Sequence, residues 1–307
     1  MTLGMTWSMA VIPIATPSIC AFAVIFFGYT AQTSFLQYVF YQRMARSVQN
    51  WKIQSDQKES ITNLATRRTW NPILGLAGDL GLLKRKQIGL DDVGSKLGRA
   101  KYHNLFATVN LITASLFALS ITELSVQSKT NMVLTSIDEY GLPNVILDFM
   151  LAVLYQSVLE YYWHRLMHTK QFYATFHKYH HHYKSPEPYD DMYIHPLEAF
   201  GNFLLLILVV NIVTTNILLH ITHTSFIAGY YCILYSYPIF FNTHYIAFIA
   251  YMIVMGLAGV LDHSGIRFYV PFIYSTCDHD LHHKKFDVNY AFPFPFMDMI
   301  HGTYSCK

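Results

Sequence analysis

The chain contains uninterrupted apolar segments that are long enough to cross a lipid bilayer. Residues 18–41 hold no acidic or basic side chain, and about 20 apolar residues suffice for a helix that spans a membrane. Charged residues make up only 13% of the 307 residues, which is about half of the share in soluble domains. This composition argues against a soluble globular domain and rules out a disordered chain, a collagen and a coiled coil. Four cysteines are too few for a disulfide scaffold, and a net charge of +2 gives no basis for binding nucleic acid.

Further apolar segments predict an all-α integral membrane protein. The first three expected spans are Ser18–Tyr41, His103–Leu124 and Val145–Trp163. A longer apolar block, Ala199–Leu261, is interrupted at two points. We expect two crossings in this block and one interfacial or re-entrant segment, for which Tyr245–Leu261 is the candidate. Counted singly these segments allow up to five crossings, and the expected fold has about four transmembrane helices plus this interfacial or re-entrant segment.

A basic loop predicts how these helices are oriented. Residues 42–102 hold twelve Lys or Arg against five acids, a net charge of +7. Basic loops next to membrane spans stay in the cytosol, so the N-terminus is expected on the opposite side. Residues 1–17 contain no Lys or Arg, and we expect no cleaved signal peptide there. This loop belongs to an N-terminal transmembrane region, residues 1–143, which precedes a second region, residues 144–307.

Most of the sixteen histidines lie in ordered groups along the second region. Three motifs have helical spacing: His164-Arg-Leu-Met-His168, His177-Lys-Tyr-His180-His181 and His279-Asp-Leu-His282-His283. Residues three or four apart share one face of a helix, so each motif presents its imidazoles to one point. Eight histidines exceed the four ligands of a structural zinc ion, and two metal ions are therefore expected. Imidazole binds zinc, copper, iron and nickel, so the ligand type leaves the metal open.

An isolated histidine is usually packed or hydrogen-bonded and binds no metal. We expect this ordinary role for four histidines outside the motifs, namely His103, His220, His223 and His244. It does not explain the three motifs, because crowded imidazoles repel one another when charged, and metal binding keeps them neutral. The sequence therefore predicts a di-metal centre in a histidine-rich helical cap on the cytosolic side of the membrane spans.

Two single histidines complete an ordered set of motifs. His195-Pro-Leu-Glu and Asp262-His263-Ser-Gly precede the third motif, which itself continues as Phe286-x-x-Asn-Tyr-Ala. In this order, and with the ending Phe296–Tyr304, the motifs resemble the fatty acid hydroxylase superfamily of sterol desaturases, methylsterol monooxygenases and related lipid hydroxylases. The resemblance covers residues 144–304. It implies a catalytic domain over residues 144–307.

The resemblance also implies a set of metal ligands. The ten expected ligands are His164, His168, His177, His180, His181, His195, His263, His279, His282 and His283. Gly259 stands where some members have a further histidine, so His195 or water is expected to complete the set. His182 is the alternative if the second motif shifts by one position. No catalytic residue is assigned beyond the metal centre.

The activity implied by the resemblance is the oxidation of a lipid. Two iron ions would use O2 and external electrons to hydroxylate or desaturate the lipid, and a sterol or sterol-like substrate is expected first. Fatty acyl, sphingoid and alkylglycerol hydroxylation are the alternatives within the superfamily. A metal-binding or metal-transporting membrane protein is the alternative outside it.

The same resemblance implies partners and a location. Electrons would come from NAD(P)H through cytochrome b5 and its reductase. Residues 84–86, Lys-Arg-Lys, are a candidate contact for such an acidic donor, although ordinary topological charge also explains them. The implied location is the endoplasmic reticulum membrane, with the active site facing the cytosol.

Acidic and aromatic residues beside the motifs each have two interpretations. A metal-bound imidazole usually donates its second N–H to a carboxylate or a carbonyl. Candidates for that role, which also fit simple solvated charges, are Glu160, Glu198, Asp262, Asp278 and Asp280. Tyr161, Tyr162 and Trp163 fit either a substrate channel or an aromatic belt at the membrane interface.

Overall fold

A computed structural model describes residues 16–55, 80, 103–200, 229–271 and 273–306. This part of the chain is mostly helical, as the sequence predicts. Most of the basic loop, including residues 84–86, lies outside the described residues, as do His220 and His223. What the sequence predicts for those positions stays a prediction.

The described ranges contain long helices, short helices and two small strand pairs. The helices are α1 (Thr16–Leu36), α2 (Val48–Trp51), α3 (His103–Val126), α4 (Ile137–Tyr140), α5 (Leu142–Met167), α6 (Lys170–Phe172), α7 (Pro196–Phe200), α8 (Tyr230–Phe240), α9 (Tyr245–Asp262), α10 (Thr276–Lys285) and α11 (Phe296–His301). The strands are β1 (Met132–Val133), β2 (Thr243–His244), β3 (Tyr269–Val270) and β4 (Tyr274–Ser275). β1 pairs with β2 in parallel, and β3 pairs with β4 antiparallel. π-helical turns cover Gln37–Arg43 and Tyr173–His177, and 3-10 turns cover Ala45–Ser47 and His180–His182.

The helices α1, α3, α5 and α9 are each long and apolar enough to cross a membrane. α1, together with its π-helical turn, covers the expected span Ser18–Tyr41. α3 covers His103–Leu124, and α5 covers Val145–Trp163. The three helices that the sequence predicts in these positions are confirmed.

The helix α9 differs from the interfacial or re-entrant segment that the sequence suggested for Tyr245–Leu261. It has 18 residues and a mean hydropathy of 1.9. At 1.5 Å per residue it is about 27 Å long, close to the hydrocarbon thickness of about 30 Å. The polar break before α9 is a well-defined turn, because Thr243 pairs with Met132 and the His244 imidazole accepts a hydrogen bond from the Ile246 N–H. The pairing partner lies in a distant part of the chain, so the local sequence could not show it.

The long helices pack side by side around a mainly apolar core. α1 packs along α3, and α5 packs against both α8 and α9. Phe117, Val153, Tyr235 and Phe248 are among the side chains buried between them. Their outward faces carry exposed Leu, Ile, Val and Phe side chains, as expected for helices that are solvated by lipid.

One end of the helices carries the residues that hold the predicted metal ligands. We call residues 168–195 and 263–306 the histidine cap. Lys52, which is 1% exposed, donates to the Pro186 carbonyl at 3.1 Å, and Gln54 donates to Asp280 at 2.7 Å. The segment that follows α1 is therefore bound to the histidine cap, so the expected cytosolic loop begins at the end of the helices where the histidines lie.

Candidate metal centre

The structure brings nine of the ten expected ligands together in two adjacent groups. The first histidine group consists of His164, His168, His177, His181 and His282. The second histidine group consists of His180, His263, His279 and His283. Within each group the candidate ligand atoms lie within 4.8 Å of one another. The ring centroids of His181 and His283 are 4.6 Å apart, so the two groups form one continuous site.

The second and third motifs are each divided between the two groups. The second motif folds as a π-helical turn followed by a 3-10 turn, so His177 and His181 still meet while His180 points to the second group. On α10, His282 belongs to the first group and the other two histidines of the motif belong to the second. The helical spacing rule identifies neighbours on one helix. It does not say which centre each ring reaches when several segments converge.

The ring nitrogens in each group are separated by about the distance between two ligands of one ion. Nε2 of His181 lies 3.1 Å from Nε2 of His168, His177 and His282. Successive Nε2 atoms in the second histidine group are 2.9–3.2 Å apart. With bonds of about 2.1 Å to one ion, right-angled ligand nitrogens lie about 3.0 Å apart and tetrahedral ones about 3.4 Å apart. The observed spacings of 2.9–3.2 Å are in the range expected for nitrogens that share one metal ion.

Backbone carbonyls determine which ring nitrogen carries the hydrogen. Nδ1 of His164 lies 2.8 Å from the Tyr290 carbonyl oxygen, and Nδ1 of His282 lies 2.7 Å from that of Val288. A carbonyl oxygen only accepts, so Nδ1 is the donor and a neutral ring keeps a lone pair on Nε2. Nε2 of His164 is buried and has no hydrogen-bond partner among the described residues. Lone pairs that converge in this way need a cation among them, so the donor set fits a bound metal.

Two carboxylates hold further rings of the two groups. Oε1 of Glu198 lies 2.5 Å from Nδ1 of His177, and Oδ1 of Asp191 lies 3.0 Å from Nδ1 of His263. Contacts of this kind orient metal-binding imidazoles. The sequence suggested Glu198 for this role but missed Asp191. The only sequence signal for Asp191 was that it adjoins another acid, Asp190, shortly before His195. Its partner, His263, lies at the end of a helix that is distant in the sequence.

The other acids that the sequence suggested have different partners. These are Gln156 for Glu160, Tyr274 for Asp262, Asn289 for the Asp278 carbonyl, and Gln54 for Asp280. Among these pairs none joins a carboxylate to a ring of the two histidine groups. Sequence proximity to a motif is therefore a poor guide to which carboxylate supports a ligand.

Burial keeps most of the clustered imidazoles neutral. Burial, followed by the effect of neighbouring histidines, lowers the pKa of His177, His180 and His181 well below the usual value. The three histidines of α10 are shifted in the same direction, with burial as the largest cause. Burial also acts to lower the pKa of His263, but Asp191 raises it overall. The neutral form is the one that binds a metal.

The expected tenth ligand, His195, lies outside both histidine groups. Its Nδ1 accepts from the Leu197 N–H at 3.2 Å, and its ring packs beside Phe176 and Tyr179. His182, the alternative ligand, also lies outside both groups. In the described part of the chain, nine of the ten expected ligands are therefore clustered. Neither His195 nor His182 lies where it could serve as the tenth.

Two isolated histidines have the ordinary structural roles that the sequence predicts. His103 is buried, and its Nδ1 lies 3.1 Å from the Tyr183 hydroxyl. Nε2 of His244 lies 3.0 Å from the Thr135 carbonyl oxygen, while its other nitrogen caps α9. Neither belongs to the histidine groups.

The C-terminal motif supports the first histidine group from outside. Asp298 accepts hydrogen bonds from the backbone N–H groups of Tyr290 and Ala291 at 2.9 and 2.7 Å and from the Thr303 hydroxyl at 2.7 Å. These bonds fix the loop whose Tyr290 carbonyl holds His164. The ending Phe296–Tyr304 therefore supports the first histidine group through the backbone, and none of its residues belongs to either histidine group.

A cavity of about 230 Å³ connects the histidines to the apolar helices. Its inner end is lined by rings of both histidine groups, including His164 and His263. Its outer end lies between α1 and α9 and is lined by Gly28 and Gly256, both exposed, with open space where a Cβ would stand. Most of its surface is apolar. The cavity therefore extends from an exposed face between α1 and α9 to the histidines along a mostly apolar wall.

Known proteins match the central part of the chain. The family model described as Fatty acid hydroxylase matches residues 149–237. The Delta(7)-sterol 5(6)-desaturase ERG3A of Gibberella zeae is 28% identical over 195 residues, which are 63% of this chain and 46% of the relative. Methylsterol monooxygenase 1 of Rattus norvegicus is 30% identical over 154 residues, 48% of this chain and 43% of the relative. Lathosterol oxidase of Homo sapiens is 24% identical over 200 residues, 64% of this chain and 56% of the relative.

These matches agree with the motifs on which the resemblance was based. The chain spans about half the length of the curated relatives it matches. No solved structure matches it. The matched region begins in α5 and ends in α8, and it includes the first two histidine motifs and His195. The family model and these relatives support the resemblance of this chain to the fatty acid hydroxylase superfamily.

Proposed function

We propose that this protein is a membrane-embedded di-iron oxygenase that hydroxylates or desaturates a lipid, with a sterol or sterol-like molecule as substrate. The observation that carries the proposal is the convergence of nine imidazoles at the inner end of an apolar cavity. Such a cavity suits a substrate that dissolves in the bilayer. A metal centre at the end of the cavity suits the oxidation of an unreactive C–H bond in that substrate.

The two histidine groups would each hold one iron ion. The nitrogen spacing and the Nδ1 contacts with carbonyls and carboxylates support metal binding through Nε2. When bound, the iron pair supplies the oxidising power that cleaves an unactivated C–H bond with O2, which side chains alone cannot supply. The set of nine histidines, with His195 left out, is the proposed ligand set.

The overall reaction fixes what must reach the site. Hydroxylation converts a C–H bond, O2, two electrons and two protons into a C–OH group and one water. Desaturation removes two hydrogens from adjacent carbons and, with the same electrons and protons, yields a double bond and two waters. An external one-electron carrier must supply the electrons, and we propose cytochrome b5 with its NAD(P)H-dependent reductase.

The protein's own residues would position the substrate and exclude water. Trp163 and Tyr230 pack together at 5.8 Å between ring centroids and line the cavity beside His164. Trp163 therefore supports the substrate-channel interpretation, whereas Tyr162 is exposed. A dry, apolar wall keeps the oxidising site away from water and from side reactions.

The substrate class is supported by the names of three relatives and by the cavity. Those relatives are named for a sterol desaturase, a methylsterol monooxygenase and a lathosterol oxidase. Aromatic side chains from α8 line the cavity next to the histidines and suit a rigid, ring-shaped lipid. We further propose that residues 144–307 form the catalytic domain, that the histidine cap faces the cytosol, and that the endoplasmic reticulum membrane holds the protein.

The proposal is tested by turnover of the purified, full-length, iron-loaded protein. The protein is incubated with cytochrome b5, its reductase, NADH and 18O2, and with a sterol, a fatty acyl, a sphingoid or an alkylglycerol lipid in separate reactions. We expect a sterol product that either gains one 18O atom or loses two hydrogens. Product from another lipid class would overturn the sterol assignment. No product from any class, with metal uptake into protein-containing vesicles, would favour a transporter.

A further inference from the structure

The cavity wall contains a carboxylate that the metal centre does not explain. Three acids line the cavity: Glu160, Asp191 and Glu198. Asp191 and Glu198 each contact a ring nitrogen of a clustered histidine. Glu160 instead accepts a hydrogen bond from the Gln156 side chain. Among the described residues, Glu160 is therefore the one of these three acids that makes no hydrogen bond or ion pair with a clustered histidine.

Glu160 lies close to the reacting end of the cavity. It stands one helical turn before His164 on α5, so the two side chains share a face of that helix. Both line the cavity, as does Trp163 between them. A group bound to Glu160 would consequently lie beside the first histidine group.

A buried network holds the Glu160 carboxyl group in place. Gln156 donates to Oε2 of Glu160 at 2.6 Å, and the Tyr251 hydroxyl donates to the Gln156 amide oxygen at 3.1 Å. Gln156 and Tyr251 are both 0% exposed. Glu160 itself is 8% exposed and sits in a helix that is long enough to cross a membrane. A buried polar group is costly unless it has partners, and acidic residues within membrane-spanning helices are functional-site candidates.

We propose that Glu160 hydrogen-bonds a hydroxyl group of the substrate and thereby selects a hydroxylated lipid such as a sterol. A carboxyl group can accept a hydrogen bond from a hydroxyl when ionised and exchange one with it when protonated. The ionised form repels the carboxylate of a free fatty acid, and neither form gains anything from a hydrocarbon chain. A sterol has one hydroxyl group on an otherwise apolar ring system, which matches one polar side chain in a mostly apolar cavity.

This inference rests on the proposed function and makes it more specific. With its hydroxyl fixed at Glu160, the first ring of the sterol would lie beside His164, so the oxidised carbon would be near the hydroxylated end of the molecule. Glu160 would act as a specificity-determining residue, because its contact is with a part of the substrate that does not react.

The test measures equilibrium binding to the purified full-length protein. The probes are radiolabelled lathosterol and its 3-O-methyl ether, which has the same ring system but cannot donate a hydrogen bond. We expect the wild-type protein to bind lathosterol about tenfold more tightly than the ether. Glu160→Ala should weaken lathosterol binding to the level of the ether and leave binding of the ether unchanged. Glu160→Gln, which keeps polar atoms at the site, should fall between the two.

The control is Glu123→Gln, because Glu123 binds Ser18 and Gln127 away from the cavity. It should leave binding of both probes unchanged. Equal binding of the two probes by the wild-type protein would overturn the inference without any need for a folded variant. Equal weakening of both probes by Glu160→Ala would also overturn it, since that result indicates general damage to the cavity.

The binding assay needs no turnover, so its failure can be told apart from failure of the proposed function. If lipid oxidation is observed but the hydroxyl makes no difference to binding, the role of Glu160 is wrong and the proposed oxygenase function stands. If binding depends on the hydroxyl and on Glu160 but no lipid is oxidised, the binding inference stands and the oxygenase function is wrong.

Discussion

Glu198 and His177 share a hydrogen bond of 2.5 Å between buried side chains that come from separate segments of the chain. The carboxylate orients the ring and makes its other nitrogen a better ligand. Loss of such a contact typically lowers metal affinity by about 10- to 100-fold. We therefore predict that Glu198→Gln weakens iron binding by that factor, as measured by competition with a chelator. The exposed Glu139 offers the control Glu139→Gln, and equal affinity in the two variants would contradict the assigned role.

Comparing substitutions of His282 and His195 tests whether only the clustered histidines bind iron. We predict that His282→Ala abolishes lipid oxidation, because it removes a ring from the first histidine group. His195→Ala should keep activity and iron content, since His195 lies outside both groups. Product formation and metal content of both purified variants check this prediction. Full activity of His282→Ala, or loss of iron in His195→Ala, would refute the nine-ligand assignment.

The glycines at the outer end of the cavity leave room for the substrate to enter. A leucine at Gly256 would fill space that is open beside α1. We predict that Gly256→Leu lowers kcat/KM for the lipid by at least about tenfold, equal to about 1.4 kcal/mol of transition-state stabilisation, with unchanged iron content. Val254→Leu, at an exposed position of α9 that does not line the cavity, is the matched control. Similar kinetics in both variants would place the entrance elsewhere.

Much of the metal site could be predicted from sequence because its ligands come in short motifs. The pair His164 and His168 meets in one group because the two residues are one helical turn apart. The partners that hold the rings were harder to predict. Asp191 and the Tyr290 carbonyl reach their histidines only after distant segments pack together, and carbonyl acceptors leave no trace in residue type.

The fold shows the same limit. Uniform apolar runs identified α1, α3 and α5, because membrane spans need only length and hydropathy. Whether α9 could be predicted as a membrane span depended on how the polar groups just before its first residue find hydrogen-bond partners. Those groups use a strand pair with Met132 and a hydrogen bond from the His244 N–H to Asp148, neither of which is visible in the local sequence.

The arrangement of helix ends predicts which positions share a side of the membrane. Gln49 and Cys306 are exposed at the end that carries the histidine cap, and Asp138 is exposed in the segment between α3 and α5 at their opposite ends. The test uses sealed microsomes that contain a variant in which every cysteine except Cys306 is replaced by serine. A membrane-impermeant maleimide should label Cys306 in these microsomes. A cysteine in place of Gln49 should also react, and one in place of Asp138 should react only after permeabilisation. Labelling of Cys306 and Gln49→Cys from opposite sides would refute this topology.

The central claim is that the two histidine groups hold two iron ions, and metal analysis of the purified protein tests it most directly. The full-length protein is expressed under iron-replete conditions and analysed by mass spectrometry for iron, zinc, copper and nickel per chain. We predict about two irons per chain, as follows from two separate clusters of neutral imidazoles. One zinc per chain and no iron would contradict the di-iron centre and, with it, the proposed oxidation of a lipid.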